Sequence, residues 1–146
     1  MSEQNKVIVR RLFDEIWNAG PCAGLDAKIE EFYAPDYVAD YRPYAPLRRG
    51  RDGIRGMVER AWATYPDYHE DLEQLVAEGD KVAVHLTISG TQLGNLGPIP
   101  PTGKKVRYQE MLILTIRDGQ VSHQRGIPDN LHLLRQLGLV PDPGNP

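Results

Sequence analysis

Cysteine is nearly absent from this chain. Of 146 residues only Cys22 is one, so no internal disulfide can form and no cysteine-based zinc site exists. Basic charge is not in excess either: 17 Lys and Arg against 20 Asp and Glu give a formal −3. No positive field is available to hold nucleic acid or an anionic membrane. No apolar run approaches the ~20 residues of a membrane helix. The stretch from Met1 to Trp17 is polar and then amphipathic, unlike a secretory signal. His69, His85, His123 and His132 show no metal-ligand spacing, and no HExxH, P-loop, dinucleotide fingerprint or G-x-S-x-G occurs. Repeats and low-complexity tracts are missing. These absences lead to the expectation of a cytoplasmic protein without metal or cofactor, folded as a single domain over residues 1–146.

What is present fits a soluble globular fold, with 40% hydrophobic and 25% charged residues. Val7, Leu12, Phe13, Ile16 and Trp17 recur at helical spacing, and Asn18-Ala19-Gly20-Pro21 stops that helix. A second short helix is expected over 24–33, a small strand over Tyr37–Tyr41, and a third helix from Asp52 to Pro66. The period then switches to two. Tyr68 to Val76 and Lys81 to Ser89 form one hairpin, and Val106 to Arg117 and Gln120 to Ile127 a second around Asp118-Gly119. A Gly/Pro-rich rim loop joins the hairpins, and Asn130 to Leu137 reads as a last helix. The expected class is α+β: a cone-shaped fold in which three N-terminal helices pack on a curved, mostly antiparallel sheet and enclose a pocket.

A two-residue turn at Asp118-Gly119 sets the register of the second hairpin. Alternation then puts Tyr108, Glu110, Leu112, Leu114, Ile116, Val121, His123, Arg125 and Ile127 on one face. That face is mostly apolar and should turn inward, leaving Glu110, His123 and Arg125 as its anomalies. An isolated buried carboxylate is too costly to persist unpaired. Glu110 is therefore either half of a structural ion pair with Arg125 or an acid/base beside an oxyanion-binding guanidinium.

Other candidates are carboxylates and aromatic groups. Asp40 lies on the strand fragment expected to cross the pocket mouth. Asp129 follows the last strand and either caps the final helix or points inward. Glu70 faces the interior or the solvent according to the length of the turn at 78–80. Phe13, Trp17, Tyr41 and Trp62 are candidates to line the pocket or simply fill the core. Arg48, Arg49 and Arg51 read as a solvated basic loop.

Several segments together resemble one family. These are Phe32-Tyr33-Ala34-Pro35-Asp36-Tyr37-Val38, Arg49-Gly50-Arg51-Asp52-Gly53-Ile54 and Val76-Ala77-Glu78-Gly79-Asp80-Lys81-Val82-Ala83-Val84. Gly90-Thr91, Ile99-Pro100-Pro101-Thr102-Gly103, Ile116-Arg117-Asp118-Gly119 and Pro128-Asp129 continue the pattern. In that order and spacing the chain resembles the SnoaL-like polyketide cyclases, or ester cyclases, of the nuclear transport factor 2-like superfamily. The resemblance implies ring closure by intramolecular aldol condensation without metal or cofactor. It places the family's acid/base aspartate on Asp129. Its usual pocket histidines fall on Asp40 and near Leu112, and a frequent tryptophan falls on Arg125. In the wider superfamily, the general-base aspartate of ketosteroid isomerase falls on Asp40.

The expected function is thus a cofactor-independent cyclase acting on a hydrophobic, carbonyl-bearing small molecule. Asp129, Asp40 and Glu110 are its candidate catalytic groups. Arg125, Tyr108, Leu112, Trp17, Phe13, Trp62, Tyr41, Glu70 and His123 are candidates to contact substrate. Epoxide opening by a carboxylate pair is one alternative, and a non-catalytic small-molecule-binding module is another. A homodimer is expected through the outer sheet face that carries Met111 and Ile113.

Overall fold

The computed structural model describes residues 2–143. Helix α1 (Ser2–Leu12) continues directly into a π-helical turn, Phe13–Trp17, followed by α2 (Leu25–Phe32), β1 (Tyr33–Asp40), β2 (Arg48–Arg49) and α3 (Gly50–Thr64). The long strands β3 (His69–Glu78), β4 (Lys81–Thr91), β5 (Lys105–Arg117) and β6 (Gln120–Pro128) come next, and α4 (Asn130–Gln136) closes the chain. The strands form one sheet in the order β2-β1-β6-β5-β4-β3. All neighbours are antiparallel except β1 and β6, which run parallel, so the sheet is mixed.

The helices lie on one face because each carries a single apolar stripe. Ile54, Val58 and Trp62 of α3 are buried at helical spacing, as are Val9 and Leu12 of α1 and Ile29 and Phe32 of α2. They pack on the inward residues Val82, Val84, Leu86, Leu112 and Leu114 of the sheet. Full burial of each such aliphatic side chain contributes roughly 1.5–3 kcal/mol. No helix among the described residues is long and apolar enough to cross a membrane.

Two β-bulges decide which side chains face the helices. In the second hairpin Ile116 pairs with Val121 but Thr115 pairs with His123, so Ser122 is an extra residue. Uninterrupted alternation puts His123, Arg125 and Ile127 inward. The bulge reverses the parity beyond Ser122, so Gln124 and Gly126 are buried while His123 and Ile127 are exposed. In the first hairpin the turn is the two-residue one, with Glu78 opposite Lys81, which by itself would turn Glu70 outward. An extra residue at Glu73 reverses the parity again and puts Glu70 opposite Ile88 on the buried face.

The rim loop is ordered by one side chain. Gln92, wholly buried, donates to the carbonyl oxygens of Gly94 and Pro100 and accepts from the backbone N–H and hydroxyl of Thr102. That clamp holds the Pro98–Pro101 turn beside the open end of the molecule.

Candidate functional site

Between the helices and the sheet lies a cavity of about 630 Å³. Its deep end is formed by buried residues, among them Tyr65, Tyr108, Leu112 and Gln124, and its mouth by exposed ones such as Tyr44, Asn95 and Gly97. The π-helical turn delivers Phe13 and Trp17 to one wall. Widened turns of this kind shift side-chain positions relative to an α-helix and recur at functional sites. Asn18 fixes that turn to the edge strand β3: its side chain donates to the Glu70 carbonyl at 2.9 Å and accepts from the Glu70 N–H at 2.7 Å.

Two carboxyl groups line this space among several aromatic rings, Glu110 from β5 and Glu70 from β3. Their strands flank β4, where Glu110 pairs with Leu86 and Glu70 with Ile88, so their backbones are two strand spacings (~9.5 Å) apart across the sheet and offset by two residues along it. Burial raises the Glu110 pKa from 4.5 to about 7, against a hydrogen bond from Tyr41 that lowers it. The Tyr41 hydroxyl donates to Glu110 Oε2 at 2.8 Å. It is aimed there because Gln124 Nε2 donates into the same hydroxyl at 2.6 Å, while Gln124 Oε1 accepts from Tyr37 at 2.8 Å. The sequence Tyr37, Gln124, Tyr41, Glu110 is therefore a directional chain of donors ending on a carboxylate.

Glu70 is 6% exposed, and its pKa rises from 4.5 to about 8. Burial is the main cause and the charge of Glu110 adds to it, while the hydrogen bond from the Tyr68 hydroxyl to Oε1 opposes both. Its other oxygen, Oε2, is buried without a hydrogen-bond partner. A buried acceptor left open in a cavity wall is where a proton or a ligand donor fits best. Burial thus brings both carboxyls up into the neutral range, where the pair can hold and exchange protons.

Of the side chains singled out in the sequence, Phe13, Trp17, Tyr41, Glu70, Tyr108, Glu110 and Leu112 line the cavity. The others do not. Asp129 is exposed and caps α4, accepting from the His132 N–H at 3.1 Å, because the helix begins at the very next residue. Asp40 follows inward-facing Ala39 and so points to the opposite face. There Arg42 binds it in a fork, at 3.0 and 2.9 Å, and holds its pKa well below the usual carboxylate range. Arg125 and His123 are turned away by the Ser122 bulge. Arg125 instead donates to the Asp40 and Gly126 carbonyls, both at 3.1 Å, and forms no pair with Glu110. Trp62 lies behind the wall, donating to the Trp17 carbonyl at 3.2 Å.

Sequence reasoning missed Gln124, Tyr37, Tyr65 and Tyr68 as members of the site. Gln124 was hidden by the bulge, and the only trace of it is a glutamine inside an otherwise alternating strand. Arg48 and Arg60 also line the cavity. Among the described residues no group of three or more His, Cys, Asp or Glu is arranged to hold a metal ion.

Helices on one face of a mixed sheet, with an acid-lined cavity between the layers, define an α+β pocket protein. The model of the SnoaL-like polyketide cyclase family matches residues 7–137, and the chain belongs to that family. It is an enzyme. A curated relative, the aklanonic acid methyl ester cyclase DauD of Streptomyces sp. (strain C5), is 30% identical over 135 residues, covering 90% of this chain and 80% of that protein. The nogalonic acid methyl ester cyclase of Streptomyces nogalater is 27% identical over 111 residues, 75% of this chain and 83% of the relative. Among solved structures, a SnoaL-like protein from Jannaschia Sp. CCS1 superposes with a TM-score of 0.84 at 26% identity, covering 96% of this chain and 95% of its own. TsrD from Streptomyces laurentii gives 0.77 at 30% identity, covering 92% and 98%.

Proposed function

We propose that this enzyme is a cofactor-independent cyclase that closes a ring by intramolecular aldol addition in a hydrophobic, polyketide-like small molecule. One observation carries the proposal: Glu110 and Glu70 line one cavity, with pKa values pushed up by burial to about 7 and about 8. Ionised Glu110 removes a proton from a carbon between two carbonyls, which is already acidic enough for a carboxylate base. The resulting enolate forms a carbon–carbon bond to a ketone of the same molecule. Protonated Glu70 then gives its proton to the new alkoxide. The product is an isomer of the substrate, and the two carboxyls reset by exchanging one proton with solvent. The aromatic wall holds the flexible chain folded, so the entropy of ring closure is met on binding.

The methyl ester cyclases among the relatives motivate the first substrates to try: aklanonic and nogalonic acid methyl esters and their free acids. Ring closure appears as a new product of unchanged mass. Glu110→Gln should lower kcat by about 10²–10⁴. A rate unaffected by that substitution, or no closure across the panel, overturns the reading.

A second reading draws on the open Oε2 of Glu70. A protonated carboxylic acid facing a cavity is also what epoxide opening requires, donating to the epoxide oxygen while Glu110 activates water or an internal hydroxyl. Turnover of an epoxide but of no dicarbonyl substrate would favour it. The proposed assembly is a cytoplasmic homodimer, supported by the apolar outer face of β5 and β6.

A further inference from the structure

Two guanidinium groups of the cavity take no part in the acid/base arrangement. Arg48, half-buried on β2, and Arg60, exposed near the end of α3, both line it. Other arginines are engaged: Arg11 with Glu15 and Glu31, Arg42 with Asp40, Arg55 with Asp26 and Asp52, Arg117 with Asp36. Among the described residues the guanidinium groups of Arg48 and Arg60 make neither a hydrogen bond nor an ion pair. No ion pair or hydrogen bond joins either guanidinium to Glu70 or Glu110. The deep carboxyls therefore do not neutralise them.

Two glycines of α3 leave room beside these residues. Gly53, on the first turn of α3, is bare where the Arg48 main chain lies; a Cβ there would meet the Arg48 carbonyl carbon at 3.2 Å. Gly56 is bare beside the Arg60 guanidinium, whose Nη1 would stand 3.2 Å from a Cβ at that position. Arg60 belongs to the stripe Met57, Arg60, Ala61, Thr64 that α3 presents to the cavity. Arg48, half-buried with no acceptor for its guanidinium, has lost solvation that an anionic ligand would restore, and the exposed guanidinium of Arg60 is unpaired to join it.

We propose that Arg48 and Arg60 form an anion subsite toward the cavity mouth, and that the natural substrate carries an anionic oxygen group at the end remote from its reacting carbonyls. The inference rests on the cyclase reading only in placing that group opposite Glu110 and Glu70. The curated relatives are named for methyl esters, in which a carboxylate is masked. This chain selects the charged form. The anion is either a free carboxylate on the substrate or the phosphate of a phosphopantetheine arm, since a guanidinium binds both.

The test is direct binding, read by calorimetry. One probe pair is anthraquinone-2-carboxylate with its methyl ester, and the other is phosphopantetheine with pantetheine. The enzyme should bind at least one anionic probe about tenfold or more tightly than its uncharged counterpart, a preference weakened by salt. The pair that shows the preference identifies the source of the charge. Arg48→Met with Arg60→Met should bring the two members within about twofold of each other while leaving the uncharged member's affinity unchanged. Should Arg48→Met fail to fold, Arg60→Glu at its exposed position should still diminish or reverse the preference. Equal affinity within both pairs, no binding of any probe, or a preference that survives the arginine substitutions overturns the proposal. Glu110→Gln should keep the preference whether or not it stops ring closure, so a failed cyclase reading and a failed subsite give different results.

Discussion

The Tyr41 hydroxyl donates to Glu110 at 2.8 Å because its other partner, Gln124 Nε2 at 2.6 Å, can itself only donate. The direction of the bond decides its effect. A donor facing a carboxyl favours the ionised form and so restrains the rise in pKa that burial imposes. Tyr41→Phe removes a hydrogen bond to a charged acceptor, worth ~1.5–3 kcal/mol. The rising limb of the kcat/KM profile, expected near pH 7 in the unmodified enzyme, should move up by roughly 1–2 pH units. A profile recorded with Tyr41→Phe that keeps its acidic limb in place would separate Glu110 from the rate-determining proton transfer.

Gly126 makes that bond geometrically possible. The Tyr41 ring lies against the Gly126 backbone so closely that a Cβ there would overlap the ring carbons and the hydroxyl. Gly126→Ala should displace the ring, cost about 1–3 kcal/mol of stability, and lower kcat more than it raises KM. Gln124→Leu approaches the same relay from its other end. It leaves the buried Tyr37 hydroxyl without an acceptor and frees Tyr41 to turn away from Glu110. Denaturant titration together with steady-state kinetics separates the two effects.

Much of this arrangement could be read from residue order, and what escaped on β6 did so for one physical reason. The helices declared themselves through apolar spacing and the hairpins through their turn residues, so Glu110 was legible as an inward carboxyl on β5. Gln124 was not. Alternation carries parity faithfully only while every residue is paired, and a single unpaired Ser122 exchanges the two faces of all that follows. Arg125 and His123 looked inward, and Gln124 outward, for that reason alone. Glu70 shows the converse, since the turn length and the extra residue at Glu73 act in opposition. Asp129 was ambiguous in the sequence because an aspartate before a helix satisfies a cap whether or not a pocket lies nearby.

Stability should fall as pH rises, which is the opposite of the usual carboxylate pattern. The pKa of Glu70 in the folded chain is raised, from 4.5 to about 8, so the folded state retains a proton that the unfolded chain has already lost. The penalty is absent below pH ~4.5, grows through the interval up to about 8 and is constant above it. Glu110 acts in the same direction over 4.5 to about 7. Glu70→Gln removes the larger of these burdens. It should raise unfolding free energy at pH 9 by on the order of 2–4 kcal/mol and leave it nearly unchanged at pH 4. Urea titrations at both values test the sign, and a variant equally stabilised at pH 4 would point to packing rather than ionisation.

The outer face of the sheet leads to the last prediction. Met111 and Ile127 are directly opposed across β5 and β6, and they are 63% and 59% exposed with Ile113 beside them. The bulge at Ser122 that buries Gln124 is also what turns Ile127 outward, so one extra residue shapes both faces. A contiguous apolar patch on the solvent side of an antiparallel pair marks a surface that a partner covers. A second copy of the chain is the expected occupant, which light scattering should register as a particle of twice the 16.4 kDa chain mass. Met111→Arg would bury a charge against its symmetry mate and should shift that particle to the monomer, with Glu110 and the cavity on the opposite face undisturbed. A wild-type chain that scatters as a monomer at high concentration excludes the assembly, and a dimer indifferent to Met111→Arg must be held by some other surface.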